Sequence, residues 1–137
     1  MLKSCKYCSR IHDSKYICPN KQTAINDRQR RFKRDRAIDK FRSSGEWQHK
    51  REEIKERDKQ LCQICIRKLY GTRQQYTYNN LSVHHAISLM EDWEKRLDND
   101  NLITGCDMHH EMMECGKIPK DVVLSIIKEQ ENESAKN

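Results

Sequence analysis

Two pairs of metal-ligating residues at one spacing constrain the fold of this chain most strongly. Cys62-Gln-Ile-Cys65 is a Cys-x2-Cys knuckle, and Cys106-Asp-Met-His109 repeats the spacing later in the chain. This spacing lets two side chains reach one ion from a tight turn, and Zn²⁺ prefers four Cys or His ligands in a tetrahedron. The pairs therefore predict one structural zinc, with a buried thiol pair or a redox Cys-x-x-Cys as the weaker interpretation.

The composition of the chain is also consistent with a fold that needs a structural metal ion for stability. Only 35% of its 137 residues are apolar and another 35% are charged, so the apolar core must be thin for the length. No apolar run follows Met1, and no stretch approaches the length of a membrane span. Thiolate metal sites are therefore favoured over disulfides, and we expect a protein of the reducing cytoplasm with no membrane partner.

A second candidate metal cluster lies near the N-terminus. Cys5-Lys-Tyr-Cys8 is followed by His12 and Cys18, which resembles a zinc knuckle with shifted spacing. A segment this short cannot fold on apolar burial, so a second structural zinc would supply its folding energy. The alternative is a disordered, cysteine-bearing tail. Cys115 is left over and is expected to be a small buried hydrophobe.

The charge of the chain is distributed unevenly. Residues 1–45 carry 13 Lys/Arg against 4 Asp/Glu, whereas residues 46–137 carry 14 against 17. A basic arm in front of a mildly acidic body suggests a polyanion partner, although a solvated helix face that binds nothing would have the same composition. The candidate phosphate contacts are Arg28, Arg30, Arg31, Lys33, Arg34 and Arg36.

The chain divides into four predicted segments. They are a zinc-knuckle-like segment at 1–21, a basic helical arm at 22–45, a main domain at 46–117, and a C-terminal helix and tail at 118–137. We expect the arm to be helical from about Gln22 to Arg42. Ser44 is a plausible N-cap for a second helix. In that helix we expect Trp47 to be a core anchor and His49 to lie on the surface.

The main domain shows shorter elements. Two strand-like stretches are expected at Tyr76–Tyr78 and Leu81–Ile87, then a polar loop, a turn at Thr104–Cys106 and a helix from about Asp107. In the last segment Pro119 favours a helix start. The apolar stripe of that helix should dock on the body through Val122, Val123, Ile126 and Ile127, and its end, from about Glu129, is expected to be frayed.

Several motifs of the main domain, taken together, resemble the HNH endonuclease family, which has the ββα-metal fold. They are a double histidine in a strand-like stretch, an Asn-Leu-x-x-x-Cys stretch, and Cys-x-x-(Cys/His)-His interleaved with an upstream Cys-x-x-Cys. In this sequence they are His84–His85, Asn101–Cys106, Cys106–His110 and Cys62–Cys65. The resemblance covers about residues 41–116.

The resemblance implies an α+β fold: a small zinc-stabilised ββα-metal domain with flanking helices and an N-terminal zinc-knuckle-like segment. The helix with Trp47 and Arg51, together with the N-terminal cysteine cluster, is similar to HNH proteins of phages of Gram-positive bacteria. Residues 46–117 would then be the nuclease domain, acting in the host cytoplasm. His109 departs from the family pattern, in which Cys is more usual; zinc accepts either ligand.

The resemblance also implies roles for individual residues. His85 would be the general base, His84 and His110 would hold a catalytic divalent cation, and Asn101 would order the loop and orient the base. Glu114 lies at i+4 from His110, where some members have another histidine, and so faces the same way on a helix. As an oxygen ligand it would favour Mg²⁺ or Mn²⁺ over Zn²⁺ or Ni²⁺; alternatively it is a surface carboxylate.

The double histidine carries a geometric condition. Neighbouring residues on a regular strand point to opposite faces. For His84 and His85 to serve one site, the strand must end or bulge there, or the metal must lie at its tip. Otherwise one of the two is a satisfied core histidine.

These observations favour a metal-dependent endonuclease that hydrolyses DNA phosphodiester bonds, by nicking or double-strand cleavage, with low sequence specificity and a phage-related role that allows DNA-packaging partners. The main alternative is a non-catalytic zinc protein that binds nucleic acid, which leaves Asn101, His110 and the His84–His85 pair unexplained. An interaction protein that docks through its knuckle and C-terminal helix is a further alternative. The residue pattern does not specify an oligomeric state, on which nicking versus double-strand cleavage depends.

Overall fold

The computed structural model of the protein describes residues 1–136, and these residues form two compact units. The first unit is Met1–Arg42, and the second begins at Ser43.

The first unit consists of a small sheet and a long helix. Strands β1 (Leu2–Ser4) and β2 (Ile11–Asp13) pair in antiparallel fashion, and helix α1 follows at Pro19–Arg42. The helix begins three residues before the predicted start, because proline is preorganised for the first helical position and has no N–H that needs a partner. Pro19 therefore opens the helix.

Helix α1 is basic around most of its surface. The six predicted phosphate-contacting side chains are all exposed. Arg30 pairs with Asp27, and Arg34 lies 3.3 Å from Asp35. Phe32 is 62% exposed. None of the helices in the described part of the chain has the length and apolar character needed to cross a membrane.

The second unit begins with helix α2 (Gly45–Arg57), which starts as predicted. The Ser44 hydroxyl accepts a hydrogen bond from the Trp47 backbone N–H at 3.2 Å and so caps the helix. Trp47 and Ile54 form its buried face, which confirms Trp47 as a core anchor, and His49 is exposed. A one-turn helix α3 (Gln63–Ile66) follows, with Cys62 as its N-cap residue.

The centre of this unit is a β-hairpin and a helix. Strand β3 (Leu81–His85) pairs antiparallel with β4 (Leu102–Cys106), and helix α4 (Asp107–Glu114) follows directly. The register runs from Leu81 opposite Cys106 to His85 opposite Leu102. The order β-β-α, together with the flanking helices, confirms the predicted α+β fold.

The predicted turn at Thr104–Cys106 is wrong, because these residues form the second half of β4. Gly105 suggested a turn, but it has another structural reason. A Cβ atom at Gly105 would lie 2.9 Å from Cε of Met113, so the glycine marks a close approach of β4 and α4.

The predicted strand at Tyr76–Tyr78 is also wrong, because this stretch is an irregular loop. The Thr77 carbonyl accepts a hydrogen bond from the Cys62 N–H at 3.0 Å, and the Thr77 hydroxyl bonds to the Gln74 carbonyl at 2.8 Å. These contacts fold the loop back onto the cysteine knuckle. Tyr76 and Tyr78 point outward, with 58% and 64% of their surface exposed.

Helix α5 (Lys120–Lys136) closes the core. Its predicted apolar stripe docks on the body, with Val123, Ile126 and Ile127 buried. The expected fraying from Glu129 is wrong, because the polar end is held by side chains from other elements. Gln130 is buried and donates to Asp58 at 3.1 Å, and Glu131 accepts from Arg57 at 2.8 Å.

Cys115 is exposed, which contradicts its expected role as a buried hydrophobe. It is the C-cap residue of α4 and is followed by Gly116, which has a φ of +83°. At this helix end the Cys115 thiol donates to the Met112 carbonyl at 3.7 Å and stays at the surface.

Candidate active site and metal centres

Four side chains of the second unit converge on one point with the separations of a tetrahedral zinc site. The His109 Nδ1 atom lies 3.5, 3.3 and 3.4 Å from the Sγ atoms of Cys62, Cys65 and Cys106. The Cys65 and Cys106 sulfurs are 3.8 Å apart. A tetrahedron with ordinary zinc–ligand bonds requires separations of about 3.6 Å for S–N and about 3.8 Å for S–S. The donor set therefore fits structural zinc.

Neighbouring backbone groups fix the orientation of these ligands. The His109 Nε2 atom lies 3.1 Å from the Tyr70 carbonyl, so Nδ1 is the nitrogen that faces the three sulfurs. Burial raises the pKa of the Cys62 thiol to about 12, and the neighbouring Cys106 and Cys65 sulfurs add to this rise. Zinc binding must therefore displace a firmly held proton, which makes metal affinity dependent on pH.

The N-terminal unit brings its predicted ligands together as well. Cys5, Cys8, His12 and Cys18 each place a donor atom within 4.8 Å of the others. The His12 Nδ1 atom lies 3.0 Å from the Asp13 carbonyl, which turns Nε2 inward. Among the described residues, this buried Nε2 atom has no hydrogen-bond partner. A metal ion would satisfy it, so the cluster fits a second zinc.

A third cluster lies where β3 meets α4. The Glu114 Oε1 atom is 3.2 Å from the His84 Nδ1 atom and 3.6 Å from the His110 Nε2 atom. Octahedral ligands of a small divalent cation lie about 3 Å apart, so these three donors can share one ion. Glu114 is 60% exposed at its side chain, which leaves one side of the cluster open to water and substrate.

His110 reaches this cluster because it follows His109, the candidate zinc ligand, in helix α4. Consecutive helical residues are about 100° apart around the axis, so one side chain faces the zinc site and the other faces β3. Glu114 lies one turn further along the same face. The donor set that fits structural zinc therefore includes a residue in the first turn of the helix that carries two of the three donors.

Burial sets the protonation state of His84. Desolvation lowers its pKa to about 4, with Glu114 opposing the shift and the neighbouring His110 and His85 adding to it. At neutral pH the ring is therefore uncharged, which is the form that binds a metal ion.

His85 lies outside the three-residue cluster, in different surroundings. Its ring stacks on Trp47 with the centroids 4.7 Å apart and the planes 25° apart. The Nε2 atom lies 3.0 Å from the Arg96 carbonyl. The sequence had indicated Trp47 only as a core anchor, and nothing in it pointed to the Arg96 carbonyl. The stack and this hydrogen bond together fix the plane and the rotation of the ring.

The double histidine meets the geometric condition stated above, because β3 ends at His85. The two side chains nevertheless contact different elements. His84 faces His110 and Glu114 on α4, whereas His85 faces Trp47 on α2 and the hairpin loop.

Asn101 holds the two ends of the long hairpin loop. Its Oδ1 atom accepts from the Ile87 N–H at 2.6 Å, and its Nδ2 group donates to the carbonyls of Ile87 and Lys95 at 2.9 and 3.2 Å. The side chain is buried, and it uses both of its N–H donors and its carbonyl oxygen. Because Lys95 precedes Arg96, the loop that Asn101 orders is the one whose carbonyl contacts His85.

The chain is similar to one solved structure, the crystal structure of an HNH endonuclease of the deep-sea thermophilic bacteriophage GVE2 with a manganese ion. The two share 30% sequence identity with a TM-score of 0.57, and the match covers 66% of this chain and 91% of that one. No protein-family model and no curated protein matches the chain. Identity at this level, over nearly the whole length of the phage enzyme, places this chain in the HNH endonuclease family.

Proposed function

We propose that this HNH endonuclease hydrolyses phosphodiester bonds of DNA with the help of one divalent cation. The observation that supports this most directly is the grouping of His84, His110 and Glu114, which we call the cation cluster. The next residue of β3, His85, has its ring held in one orientation at the end of the strand. A cation cluster and a neighbouring base are the two parts that hydrolysis of a phosphodiester without a covalent intermediate requires.

In this proposal the cluster and His85 have separate tasks. A divalent cation held by His84, His110 and Glu114 would bind the scissile phosphate and stabilise the negative charge that develops on it. His85 takes a proton from the attacking water. Its Nε2–H donates to the Arg96 carbonyl, so Nδ1 is the proton acceptor. The water oxygen bonds to phosphorus, the bond to the 3′ oxygen breaks, and that oxygen takes a proton from solvent.

Mg²⁺ and Mn²⁺ are the cations that we favour for the cluster. The Glu114 carboxylate supplies a hard oxygen ligand, which suits these ions better than the softer Zn²⁺ or Ni²⁺. The similar GVE2 enzyme was crystallised with manganese. Zinc has the sulfur-rich site of Cys62, Cys65, Cys106 and His109, where it would be structural.

Helix α1 is proposed to supply affinity for DNA. Its exposed cations contact phosphates, which are the same in every sequence, so binding should depend on salt and carry little sequence information. We therefore propose cleavage of low specificity. Because the similar enzyme comes from a bacteriophage, we also propose that this chain acts in a phage context, in the host cytoplasm and with DNA-packaging proteins as its partners.

The experiment that tests this function is cleavage of a supercoiled plasmid. Protein that retains its structural zinc but lacks the catalytic cation is given Mg²⁺, Mn²⁺, Ni²⁺ or Zn²⁺ in turn. We expect nicked or linear plasmid with Mg²⁺ and Mn²⁺, and mapped cut sites without a common sequence. A protein that shifts the plasmid on a gel in a salt-sensitive manner, but cleaves it with none of the four ions, would contradict the proposed activity.

A further inference from the structure

Arg57 is the last residue of α2, and its buried side chain donates hydrogen bonds to several different elements. Its side chain is 5% exposed. Nε and Nη2 donate to the Asp58 carboxylate at 3.0 and 3.2 Å, and Nη1 donates to Glu131 at 2.8 Å. The two remaining N–H groups donate to the Asn99 carbonyl at 2.9 Å and the Leu102 carbonyl at 2.7 Å. All five guanidinium donors are therefore used.

The two carbonyls that Arg57 binds lie on either side of Asn101. Asn99 begins the short 3-10 turn that contains Asn101, and Leu102 begins β4. The planar fork of a guanidinium holds two acceptors at a fixed separation, which a flexible lysine cannot do. Arg57 thus fixes the backbone of the turn from outside, independently of the hydrogen bonds that the Asn101 side chain makes.

A short chain of contacts leads from this turn to the histidine that we propose as the base. Asn101 binds both backbone groups of Ile87 and the carbonyl of Lys95. The next carbonyl, of Arg96, lies 3.0 Å from Nε2 of His85. A displacement of the turn therefore changes where this acceptor lies, and with it the rotation of the His85 ring.

Asp58 holds the guanidinium in place. It is fully buried and also accepts from the Thr104 N–H at 2.9 Å and from Gln130 at 3.1 Å. The carboxylate is thereby tied to β4 and to α5, so Arg57 cannot swing away from the turn without leaving a buried charge unpaired.

We propose that Arg57 is a positioning residue for catalysis: through the Asn99 and Leu102 carbonyls it sets the turn of Asn101 and hence the orientation of His85. The inference rests on the proposed role of His85 as the base. The Arg57 side chain is 5% exposed, and its described hydrogen bonds do not include His84, His110 or Glu114.

The test compares Arg57→Lys with Arg67→Lys. Arg67 is the matched control, since it also anchors α5, through Glu129 and Gln130, but has no hydrogen bond to the Asn99–Leu102 segment among the described contacts. Single-turnover plasmid cleavage with Mn²⁺ gives the maximal rate and the half-saturating DNA concentration. Ring ¹⁵N shifts of His85 give its tautomer, and Mn²⁺ titration gives the affinity of the cation cluster.

We expect Arg57→Lys to lower the maximal rate about 10- to 100-fold, the range typical of displaced catalytic groups and their supports. The DNA concentration for half-saturation and the Mn²⁺ affinity should stay within about twofold, whereas the His85 tautomer preference is lost. Arg67→Lys should leave the rate and the tautomer unchanged. If Arg57→Lys does not fold, Arg57→Met with Asp58→Asn removes both buried charges together, which proteins often tolerate better.

The positioning role is overturned if folded Arg57 variants keep the His85 tautomer and the rate, or if Arg67→Lys reduces the rate equally. Failure of the proposed function has a different signature, because the wild type would then cleave the plasmid with none of the ions. Failure of the base role alone would leave His85→Ala cleaving as fast as the wild type. The His85 ¹⁵N shifts still report on the Arg57 contact in that case.

Discussion

At the scale of single residues, His84 shows how the fold suits one imidazole to the metal-binding role that we propose for it. It is 7% exposed and packs edge-on against His110, with ring centroids 5.3 Å apart. Burial is the main cause of its low pKa, and the same burial keeps the ring neutral over the whole physiological range. Because the buried ring resists protonation, the metal-free protein loses stability at acidic pH.

This resistance to protonation predicts a pH dependence of stability. The pKa of His84 falls from 6.5 in the unfolded chain to about 4 in the folded one. Between these values the unfolded state binds more protons, so the free energy of unfolding decreases as the pH falls from 6.5 towards 4. Urea unfolding of protein without the catalytic cation should show this loss, and His84→Asn should reduce it. His49→Asn is the surface control; a slope that His84→Asn leaves unchanged would contradict the account.

Residues with a sequence signature were predictable, and those that act through backbone contacts were not. Cys62, Cys65, Cys106 and His109 stood at ligand spacing, and the structure brings their donor atoms together. The Arg96 and Leu102 carbonyls carry no signature, because every residue has a carbonyl. Arg57 lies more than forty residues before both Asn99 and Leu102, so only the fold reveals these contacts.

At the scale of elements, β4 and α5 are two places where contacts with distant residues outweigh the structure that the local sequence predicts. The Thr-Gly pair in β4 predicts a turn, yet a strand forms there because β3 pairs with β4 along its whole length. The polar sequence at the end of α5 predicts fraying, yet Gln130 and Glu131 bind the buried ion pair of Arg57 and Asp58 at the C-terminal end of α2. In both cases the deciding partner is distant in sequence.

The contacts of α5 predict that its polar end stabilises the protein. Truncation after Lys128 removes the partners of Arg57 and Asp58 that lie on α5, and it should lower the free energy of unfolding by about 2–4 kcal/mol. Truncation after Glu131 keeps both partners and should cost less than about 0.5 kcal/mol. Equilibrium urea unfolding of the two shortened proteins separates these cases. Equal stability of the two would mean that the buried network does not depend on α5.

At the scale of the whole molecule, the basic charge is concentrated in the first unit, and the residues that we propose for catalysis lie in the second. Helix α1 exposes its cations, while the second unit contains His85 and the cluster of His84, His110 and Glu114. We therefore expect α1 to determine the affinity for DNA and the second unit to determine the rate of cleavage.

Neutralising three exposed cations of α1 tests that separation. Arg28→Gln, Arg31→Gln and Lys33→Gln together should weaken DNA binding and reduce the slope of log affinity against log salt by about one unit for each lost phosphate contact. The rate at saturating DNA should not change. The same substitution of Lys59, Lys128 and Lys136 in the second unit is the matched control. An unchanged salt slope in the α1 variant would rule out the helix as the DNA-binding element.

The central claim is that the neighbours His84 and His85 have different tasks, one in holding the cation and one in accepting the proton. The most direct measurement combines Mn²⁺ titration by calorimetry with plasmid cleavage for His84→Ala and His85→Ala, both checked for folding and zinc content. The account predicts that His85→Ala binds Mn²⁺ as the wild type does but does not cleave, whereas His84→Ala loses Mn²⁺ binding. Cleavage by His85→Ala at the wild-type rate, or Mn²⁺ affinity unchanged in His84→Ala, would contradict it.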